Sequence, residues 1–174
     1  MPGETRSKPN ILVSGTPGTG KTSLCEIIAL HTRLKHVNIG DLVRSRQLHD
    51  GWDEEFESYI IDEDRVVDEL EDEASRGGLL VDHHGVDFFP ERWFDLVVVL
   101  RTQNDVLYPR LEARQYNAAK MNENIEAEIM QVVLDEARDS YGADKIMELQ
   151  SNTVEQMEEN AEIIESWVRA WSPM

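Results

Sequence analysis

A glycine-rich motif at residues 15–22, Gly-Thr-Pro-Gly-Thr-Gly-Lys-Thr, limits the folds open to this chain more than any other segment. It matches the pattern G-x-x-x-x-G-K-[S/T], follows the apolar run Ile11–Val13 and precedes a segment with an apolar helical face, Lys21–His31. A loop of this kind between a buried strand and a helix binds phosphate, because its backbone N–H groups turn inward and the helix N-terminus carries a partial positive charge. The motif therefore predicts a phosphate-binding α/β fold.

Short apolar runs alternate with segments of helical periodicity along the rest of the chain. We predict strands at Ile11–Val13, His36–Ile39, Leu79–Val81, Leu96–Leu100 and Lys145–Leu149. We predict helices at Lys21–His31, Gly40–Leu48, Asp62–Arg76, Asp105–Arg114, Glu123–Tyr141 and Thr153–Trp171, and an irregular insert at Asp50–Ile61. This alternation is typical of a parallel sheet that is covered by helices on both faces. The length of 174 residues fits one domain, residues 1–174.

Three side chains are candidates for the chemistry of a nucleoside triphosphate. Lys21 closes the loop motif and is expected to reach the β- and γ-phosphates, while the adjacent Thr22 hydroxyl is expected to ligate Mg²⁺. Asp82 directly follows a predicted strand, which is where an acid that holds the metal through water should lie. The alternative for Asp82 is a turn residue that caps the next element.

Two adjacent histidines, His83 and His84, follow this acid. Neighbouring residues on a strand end point to opposite sides, so we do not expect a zinc site built on the pair alone. His84 lies two residues after Asp82 and shares its side if the strand continues. We therefore expect His84 to orient water or a phosphate oxygen, and the role of His83 stays open.

Arginines outnumber lysines by 12 to 5, and several lie at the ends of predicted elements. Guanidinium groups bind phosphate through paired N–H donors, so these arginines are candidates to clamp two nucleotides. Arg110 and Arg114 are one helical turn apart and precede a polar segment that we interpret as a short lid. The other candidates are Arg44, Arg46 and Arg92. The alternative is that each arginine forms solvated ion pairs with the abundant carboxylates.

The acidic composition excludes several classes of partner. The chain has 35 acidic and 17 basic residues and a formal charge of −18, which argues against direct DNA binding and against docking on an anionic membrane. Thirteen of the acids lie in residues 50–74 beside one base, Arg65. Such a surface could mimic RNA toward a basic protein, and the alternative is a solvated helix face. No run of 18 apolar residues occurs, so no transmembrane helix is expected.

The cysteine content and the first residues bear on the compartment. The single cysteine, Cys25, cannot form an internal disulfide, and its apolar neighbours favour a buried position. The first ten residues are polar and lack the apolar core of a signal peptide. We therefore expect a reducing compartment, cytosol or nucleus, and a mass of 20.0 kDa permits passive entry into the nucleus.

Several segments carry a more specific signal than the loop alone. They are residues 15–22, Asn38–Leu42, Asp62–Leu70, Val81–Gly85 and Asp87–Arg92. Together they resemble the adenylate kinase isoenzyme 6 family, also called the coilin-interacting nuclear ATPase, from about residue 9 to the end. The resemblance implies a nucleoside-monophosphate-kinase (NMP-kinase) fold with a five-stranded parallel sheet of order 2-3-1-4-5. It also implies an NMP-binding segment at residues 38–61 and a short lid at residues 113–123.

The same resemblance implies an activity and a cellular role. The activity is phosphoryl transfer from Mg·ATP to AMP, with ATPase activity beside it. The role is in assembly of the small ribosomal subunit and maturation of its 18S rRNA, in nucleus and cytoplasm. By motif match, ATP is expected on Gly18, Gly20, Lys21, Thr22 and Ser23, with Arg114 from the lid. The loop motif adds Gly15 and Thr19 to the expected nucleotide site, and the positions of the arginines add Arg44, Arg92 and Arg110. The expected catalytic set is Lys21, Asp82, His84 and Arg114, in which Asp82 and His84 match the family's modified Walker B motif.

Two positions depart from the family pattern, and alternative functions stay open. His83 stands where an aromatic residue often sits, and Gln115 stands where glycine is common. One alternative is an ATP-gated assembly factor that binds a basic small-subunit ribosomal protein and the pre-ribosome, with kinase activity secondary. A shikimate- or gluconate-type kinase shares the loop but is disfavoured by the Phe-Phe-Pro-Glu-Arg segment at residues 88–92. We expect a monomer, and the choice of AMP over CMP or dAMP stays open.

Overall fold

Five parallel strands form the centre of the computed structural model, which describes residues 5–173. Residues 1–4 and 174 of the predicted domain lie outside the described residues. The five strands of the central sheet are β1 (Ile11–Ser14), β2 (Lys35–Asn38), β5 (Leu79–Asp82), β6 (Leu96–Arg101) and β7 (Ile146–Gln150), and a separate two-stranded sheet consists of β3 (His49–Asp53) and β4 (Ser58–Ile61). The helices are α1 (Lys21–His31), α2 (Ile39–Arg46), α3 (Glu63–Arg76), α4 (Asn104–Ala113), α5 (Ala118–Ile129), α6 (Val132–Ser140) and α7 (Val154–Ala170).

The order of the main sheet is β2-β5-β1-β6-β7, and every neighbouring pair is parallel. When its five strands are renumbered in chain order, this is the predicted order 2-3-1-4-5, which is confirmed. A parallel sheet of this kind brings the carboxyl ends of its strands to one edge. The phosphate loop follows β1 at that edge, and Asp82 ends the neighbouring strand there.

Two apolar clusters cover the two faces of the sheet. Leu12 of β1 belongs to one cluster with Val81 and Val97, and its neighbours Ile11 and Val13 belong to the other. All four residues of β1 are buried, because a parallel strand with helices on both sides has no solvent face. The buried, paired strands β1 and β5 hold the loop and the acid next to each other.

Polar side chains set the starts of four helices. Asn38, Asp62, Asn117 and Thr153 each accept a hydrogen bond from a backbone N–H of the first turn of α2, α3, α5 and α7. These N–H groups have no partner within their own helix, so the caps stabilise the helix starts. Asn38 is also the last residue of β2, so its cap places it at the edge of the sheet that carries the loop.

The structure corrects two predictions of secondary structure. Residues 50–61 are not an irregular insert, because β3 and β4 pair as an antiparallel hairpin in which Trp52 lies opposite Tyr59. The single helix predicted over residues 123–141 is two helices, α5 and α6, which are separated where Gln131 adopts a left-handed φ of 57°. The predicted lid, residues 113–123, falls on the end of α4, a turn and the first half of α5.

None of the helices within residues 5–173 combines the length and the hydropathy that are needed to traverse a bilayer.

Candidate active site

The phosphate loop curls tightly between β1 and α1. Gly18 has a φ of +93°, and a Cβ atom there would lie 2.9 Å from the side chains of Leu107 and Leu111 on α4. Only glycine meets both demands, the left-handed backbone and the close approach of α4. Thr19 is a buried residue of the loop itself, and its hydroxyl donates to the Thr16 carbonyl at 2.7 Å.

Lys21 lies folded over this loop. Its Nζ donates to the carbonyl oxygens of Gly15 at 3.0 Å and Thr16 at 3.3 Å. Desolvation of the ammonium lowers the pKa of Lys21 to about 8, although the negative charge of Asp82 acts against this shift. An anionic phosphate is a better partner for the ammonium than two carbonyl groups, because a charge-assisted hydrogen bond is the stronger one.

Asp82 is the centre of a hydrogen-bond network at the carboxyl end of β5. Its Oδ2 accepts from the Thr22 hydroxyl at 2.7 Å, from Asn38 Nδ2 at 3.0 Å and from His36 Nε2 at 3.1 Å. Burial acts to raise the pKa of Asp82, but the hydrogen bonds from His36 and Thr22 and the charge of Lys21 hold it below its ordinary value. The carboxylate is therefore ionised at neutral pH.

The donor atoms at this position fit Mg²⁺. Thr22 offers a hydroxyl oxygen and Asp82 a carboxylate, and hard oxygen ligands are those that Mg²⁺ prefers. The ligand atoms of Cys25, His36 and Asp82 also lie within 4.8 Å of one another. Cys25 is fully buried, and desolvation raises the pKa of its thiol well above the usual value. A buried neutral thiol is a poor metal ligand, so the chemistry of the site favours the oxygen donors.

A cavity of about 620 Å³ opens above the loop and Asp82. The loop forms its floor, the β3–β4 hairpin one wall and α5 another. The predicted site residues that line it are Gly18, Gly20, Lys21, Thr22, Ser23, Arg44, Asp82, His84 and Arg114. The space is therefore bounded by both segments that the sequence suggested as nucleotide covers, residues 38–61 and 113–123.

The expectation that His83 and His84 point to opposite sides is wrong, because the strand ends before them and the two ring centroids lie 4.3 Å apart, both at the cavity. The two side chains nevertheless differ in burial. The His83 side chain is buried and lies edge-on to Phe88 and Phe89, with ring centroids 5.6 and 6.3 Å away. His84 is exposed to the cavity. The surrounding protein desolvates the imidazole and, with the positive charge of Lys21, lowers the pKa of His84 to about 4. His84 is therefore neutral at physiological pH and can exchange hydrogen bonds with a molecule in the cavity.

Only two of the five predicted arginines line the cavity. Arg44 and Arg114 line the cavity, where Arg44 pairs with Asp41 and Arg114 Nη1 donates to Tyr116 Oη at 3.2 Å. Arg46 lies outside the lining and pairs with Glu69 at 3.1 Å.

Arg110 braces the loop from outside the cavity. Its guanidinium donates to the carbonyl oxygens of Gly18 at 3.2 Å, Ser151 at 3.1 Å and Asn152 at 3.3 Å. The structure therefore places Arg110 behind the loop, where it holds the chain after β7 against the phosphate-binding backbone.

Arg92 is not brought to the cavity. It pairs with Glu71 of α3, and its carbonyl accepts from Arg6 at 3.0 Å beside the start of β1. Asp95 next to β6 also bonds the backbone N–H of Asn10, which places this region at the amino ends of the strands. The phosphate loop lies at the opposite edge of the same sheet, so the structure gives Arg92 no contact with the site.

A contact that the sequence did not predict joins the two walls of the cavity. Glu57, at the tip of the hairpin, accepts from the backbone N–H of Asn117 at 2.6 Å. Asn117 Nδ2 donates to the Glu55 carbonyl at 2.9 Å, and Lys120 Nζ donates to the Glu57 carbonyl at 2.9 Å. We call these three hydrogen bonds the hairpin–α5 contact.

Other cavity and loop contacts come from residues that carry no motif. Trp52 and Tyr59 of the hairpin line the cavity with their rings edge to face at 5.0 Å. Ser151 Oγ donates to the Thr19 carbonyl at 2.5 Å and so fixes the loop from the side of β7. The polar residues His36 and Asn38 in a predicted strand were the signal in the sequence that could have indicated the network around Asp82.

Comparison with known proteins finds a matching domain profile and close sequence relatives. The profile of an AAA domain matches residues 11–131. The chain is 54% identical over 166 residues to the adenylate kinase isoenzyme 6 homolog of Dictyostelium discoideum, covering 95% of each chain. It is 47% identical over 171 residues to the homolog of Schizosaccharomyces pombe, covering 98% of each chain.

The fold itself is similar to that of P-loop kinases. Shikimate kinase from Bacteroides thetaiotaomicron superposes with a TM-score of 0.64 at 16% identity, covering 94% of this chain and 99% of that one. A gluconokinase from Sinorhizobium meliloti gives a TM-score of 0.55 at 17% identity, covering 95% and 99%. At such low identity these two proteins bear on the fold alone. The fold and the sequence relatives together support a nucleotide kinase, and the chain belongs to the adenylate kinase isoenzyme 6 family.

Proposed function

We propose that this protein transfers the γ-phosphoryl group of ATP to AMP and so forms two molecules of ADP. One observation carries the proposal: Lys21, Thr22 and Asp82 lie together at the floor of a cavity whose walls are the hairpin and α5. A phosphoryl donor bound on the loop and a phosphoryl acceptor bound against the hairpin can then face each other in one enclosed space. The names of the sequence relatives support ATP and AMP as the pair.

The loop side of the cavity is suited to the donor. The loop N–H groups and Lys21 bind the β- and γ-phosphates, and Ser23 lies beside them on α1. Thr22 and Asp82 would hold Mg²⁺, which neutralises phosphate charge when it is bound. Arg110 keeps the loop and the Ser151–Asn152 segment together, so the donor meets a preformed surface.

The hairpin side is suited to the acceptor. Arg44 and Arg114 line the cavity and offer guanidinium groups to a phosphate. The phosphate of AMP is already an anionic nucleophile, so the reaction needs no strong general base. Catalysis then consists of positioning the two nucleotides and neutralising the transferring group.

Hydrolysis of ATP is the side reaction of such a site. When AMP is absent, water can occupy the acceptor side of the cavity. His84 is exposed there and neutral, so it can accept a hydrogen bond from that water. We propose ATPase activity on this basis.

A panel of acceptors with Mg·ATP tests the proposal. The panel contains AMP, dAMP, CMP, GMP, UMP, shikimate and gluconate, and ADP is measured after separation of the products. We expect AMP to be the best acceptor and the Lys21→Ala protein to be nearly inactive on every acceptor. If a non-nucleotide or UMP is phosphorylated about ten times faster than AMP, the proposal is wrong.

A second proposal concerns a basic partner in assembly of the small ribosomal subunit. Asp64, Asp68 and Asp72 are exposed at intervals of four residues on α3, so they form one acidic stripe. Within residues 5–173 none of the three forms an ion pair, whereas Glu69, Glu71 and Glu73 on the same helix do. We propose that this stripe binds a basic small-subunit ribosomal protein, that ATP gates the binding, and that the protein acts as a monomer in nucleus and cytoplasm.

The partner is tested with purified basic small-subunit ribosomal proteins, with and without Mg·ATP. The triple variant Asp64→Lys, Asp68→Lys and Asp72→Lys should lose the binding. The matched control changes the same charge on α7, where Glu155, Glu159 and Glu162 are exposed, and it should bind like the wild type. Equal loss in both triple variants would indicate a response to net charge alone and would contradict a specific surface.

A further inference from the structure

We propose that His36 is a positioning residue of the nucleotide site: through the carboxylate of Asp82 it orients the Thr22 hydroxyl toward the metal-bound nucleotide. The inference deepens the proposed function and rests on its donor site, not on the identity of the acceptor.

The register of the sheet places His36 where it can do this. In the parallel pair of β2 and β5, Asn38 lies opposite Asp82 and His36 lies opposite Leu80. Residues two apart on a strand share a face, so the side chains of His36 and Asn38 reach the same carboxylate. Both bond Oδ2, at 3.1 and 3.0 Å.

The network is directional. Asn38 Nδ2 can only donate, and the ionised Asp82 can only accept, so His36 donates from Nε2 and Thr22 donates its hydroxyl proton at 2.7 Å. Once that proton points at Asp82, one lone pair of the Thr22 oxygen accepts from Asn38 Nδ2 at 3.2 Å, and the other is left for a ligand. A hydroxyl that would otherwise rotate freely is thus held ready to act as a ligand.

His36 does this from behind the site. Its side chain is 18% exposed and Asp82 is 2% exposed, and His36 does not line the cavity. An imidazole nitrogen is also not the ligand that Mg²⁺ prefers. His36 therefore acts on the nucleotide through Asp82 and does not touch it. Mutation of a residue that hydrogen-bonds a metal ligand from behind commonly lowers the metal affinity by ~10–100-fold.

Two variants separate positioning from packing. His36→Phe keeps a flat ring of similar size and removes the donor, whereas His36→Gln keeps an N–H donor at the end of the side chain. His31→Phe is the matched control, because His31 pairs with Glu165 at 2.8 Å between α1 and α7 and does not line the cavity. Binding of ATP is measured by calorimetry, once with Mg²⁺ and once with a chelator, so no acceptor is needed.

We expect His36→Phe to weaken binding of Mg·ATP by ~10-fold or more while metal-free ATP binds as in the wild type. His36→Gln should recover most of the loss, and His31→Phe should change neither value. Wild-type binding of Mg·ATP by His36→Phe would overturn the proposal. So would an equal loss with and without Mg²⁺ that His36→Gln fails to recover, since that result assigns His36 to packing. Failure of AMP as an acceptor would overturn the proposed reaction and leave this result untouched.

Discussion

The carboxylate of Glu57 accepts a hydrogen bond of 2.6 Å from the backbone N–H of Asn117, and this contact joins the tip of the β3–β4 hairpin to the start of α5. The N–H groups at a helix start lack partners within the helix and carry partial positive charge, so a carboxylate there is favourable. Lys120 adds a second bond to the Glu57 carbonyl. We therefore expect the hairpin and α5 to open and close together.

Removing the Glu57 side chain should loosen both walls of the cavity at once. In Glu57→Ala we expect hydrogen exchange at the amides of Lys120 and Met121 to rise roughly tenfold, since a hydrogen bond to a charged group is worth about 1.5–3 kcal/mol. Exchange in the five-stranded sheet should not change. The measurement is exchange followed by mass spectrometry, with Glu54→Ala as the control, because Glu54 is exposed on the same turn. Faster exchange confined to the hairpin would show that the two walls move separately.

Lys21→Ala should nearly abolish ADP formation while the fold survives. The Lys21 ammonium lies over the loop, and loss of one charge-stabilising donor typically costs ~10²–10³-fold in rate. The rate is measured with Mg·ATP and AMP, and the fold is checked by circular dichroism. Lys35→Ala serves as the control, because Lys35 pairs with Glu73 away from the cavity. Turnover of AMP at the wild-type rate in Lys21→Ala would mean that the site assignment is wrong.

Arg114 and Arg92 should differ in their effect on kinetics. Arg114 lines the cavity and can neutralise a transferring phosphoryl group, so Arg114→Ala should lower kcat by ~10²-fold. Arg92 pairs with Glu71 at the opposite edge of the sheet, so Arg92→Ala should stay within about twofold of the wild type, as a surface pair contributes little. Steady-state kinetics of the two variants compare them directly. A larger effect of Arg92→Ala than of Arg114→Ala contradicts this placement.

His84→Gly should impair ATP hydrolysis more than phosphorylation of AMP. AMP brings its own anionic nucleophile, whereas hydrolysis must orient a neutral water, and an orienting group typically contributes ~10²–10⁴-fold. Both rates are measured on one preparation, together with ATP affinity. Equal losses in the two reactions would assign His84 to the general structure of the site, and unchanged hydrolysis would remove it from the mechanism.

Local patterns in the sequence predicted the frame of the site. The loop motif, the position of Asp82 after an apolar strand and the alternation of strands and helices depend on neighbours in the chain, and the structure places Asp82 2.7 Å from Thr22. The resemblance supplied the strand order. Long-range partners of these residues, such as Ser151 beneath the loop, leave no such local pattern.

Other features depended on contacts that the sequence does not display. The hairpin was missed because residues 50–61 are rich in Asp and Glu, which are uncommon in strands, and its pairing depends on rings such as Trp52 and Tyr59. The break before α6 occurs at Gln131, without glycine or proline to mark it. Arg92 was expected at the nucleotide because it follows β5 closely, but the chain between β5 and β6 crosses to the other edge of the sheet.

The central claim, direct transfer between two nucleotides in one cavity, is tested most directly by following the γ-phosphoryl group itself. ATP that is labelled at its γ-phosphorus is mixed with Mg²⁺, AMP and the protein, and the labelled products are separated early in the reaction. The account predicts that the label moves into ADP as AMP is consumed and that little label appears in inorganic phosphate. In a parallel reaction without AMP, the label should appear in inorganic phosphate. Label that collects only in inorganic phosphate while AMP remains unchanged would contradict the account.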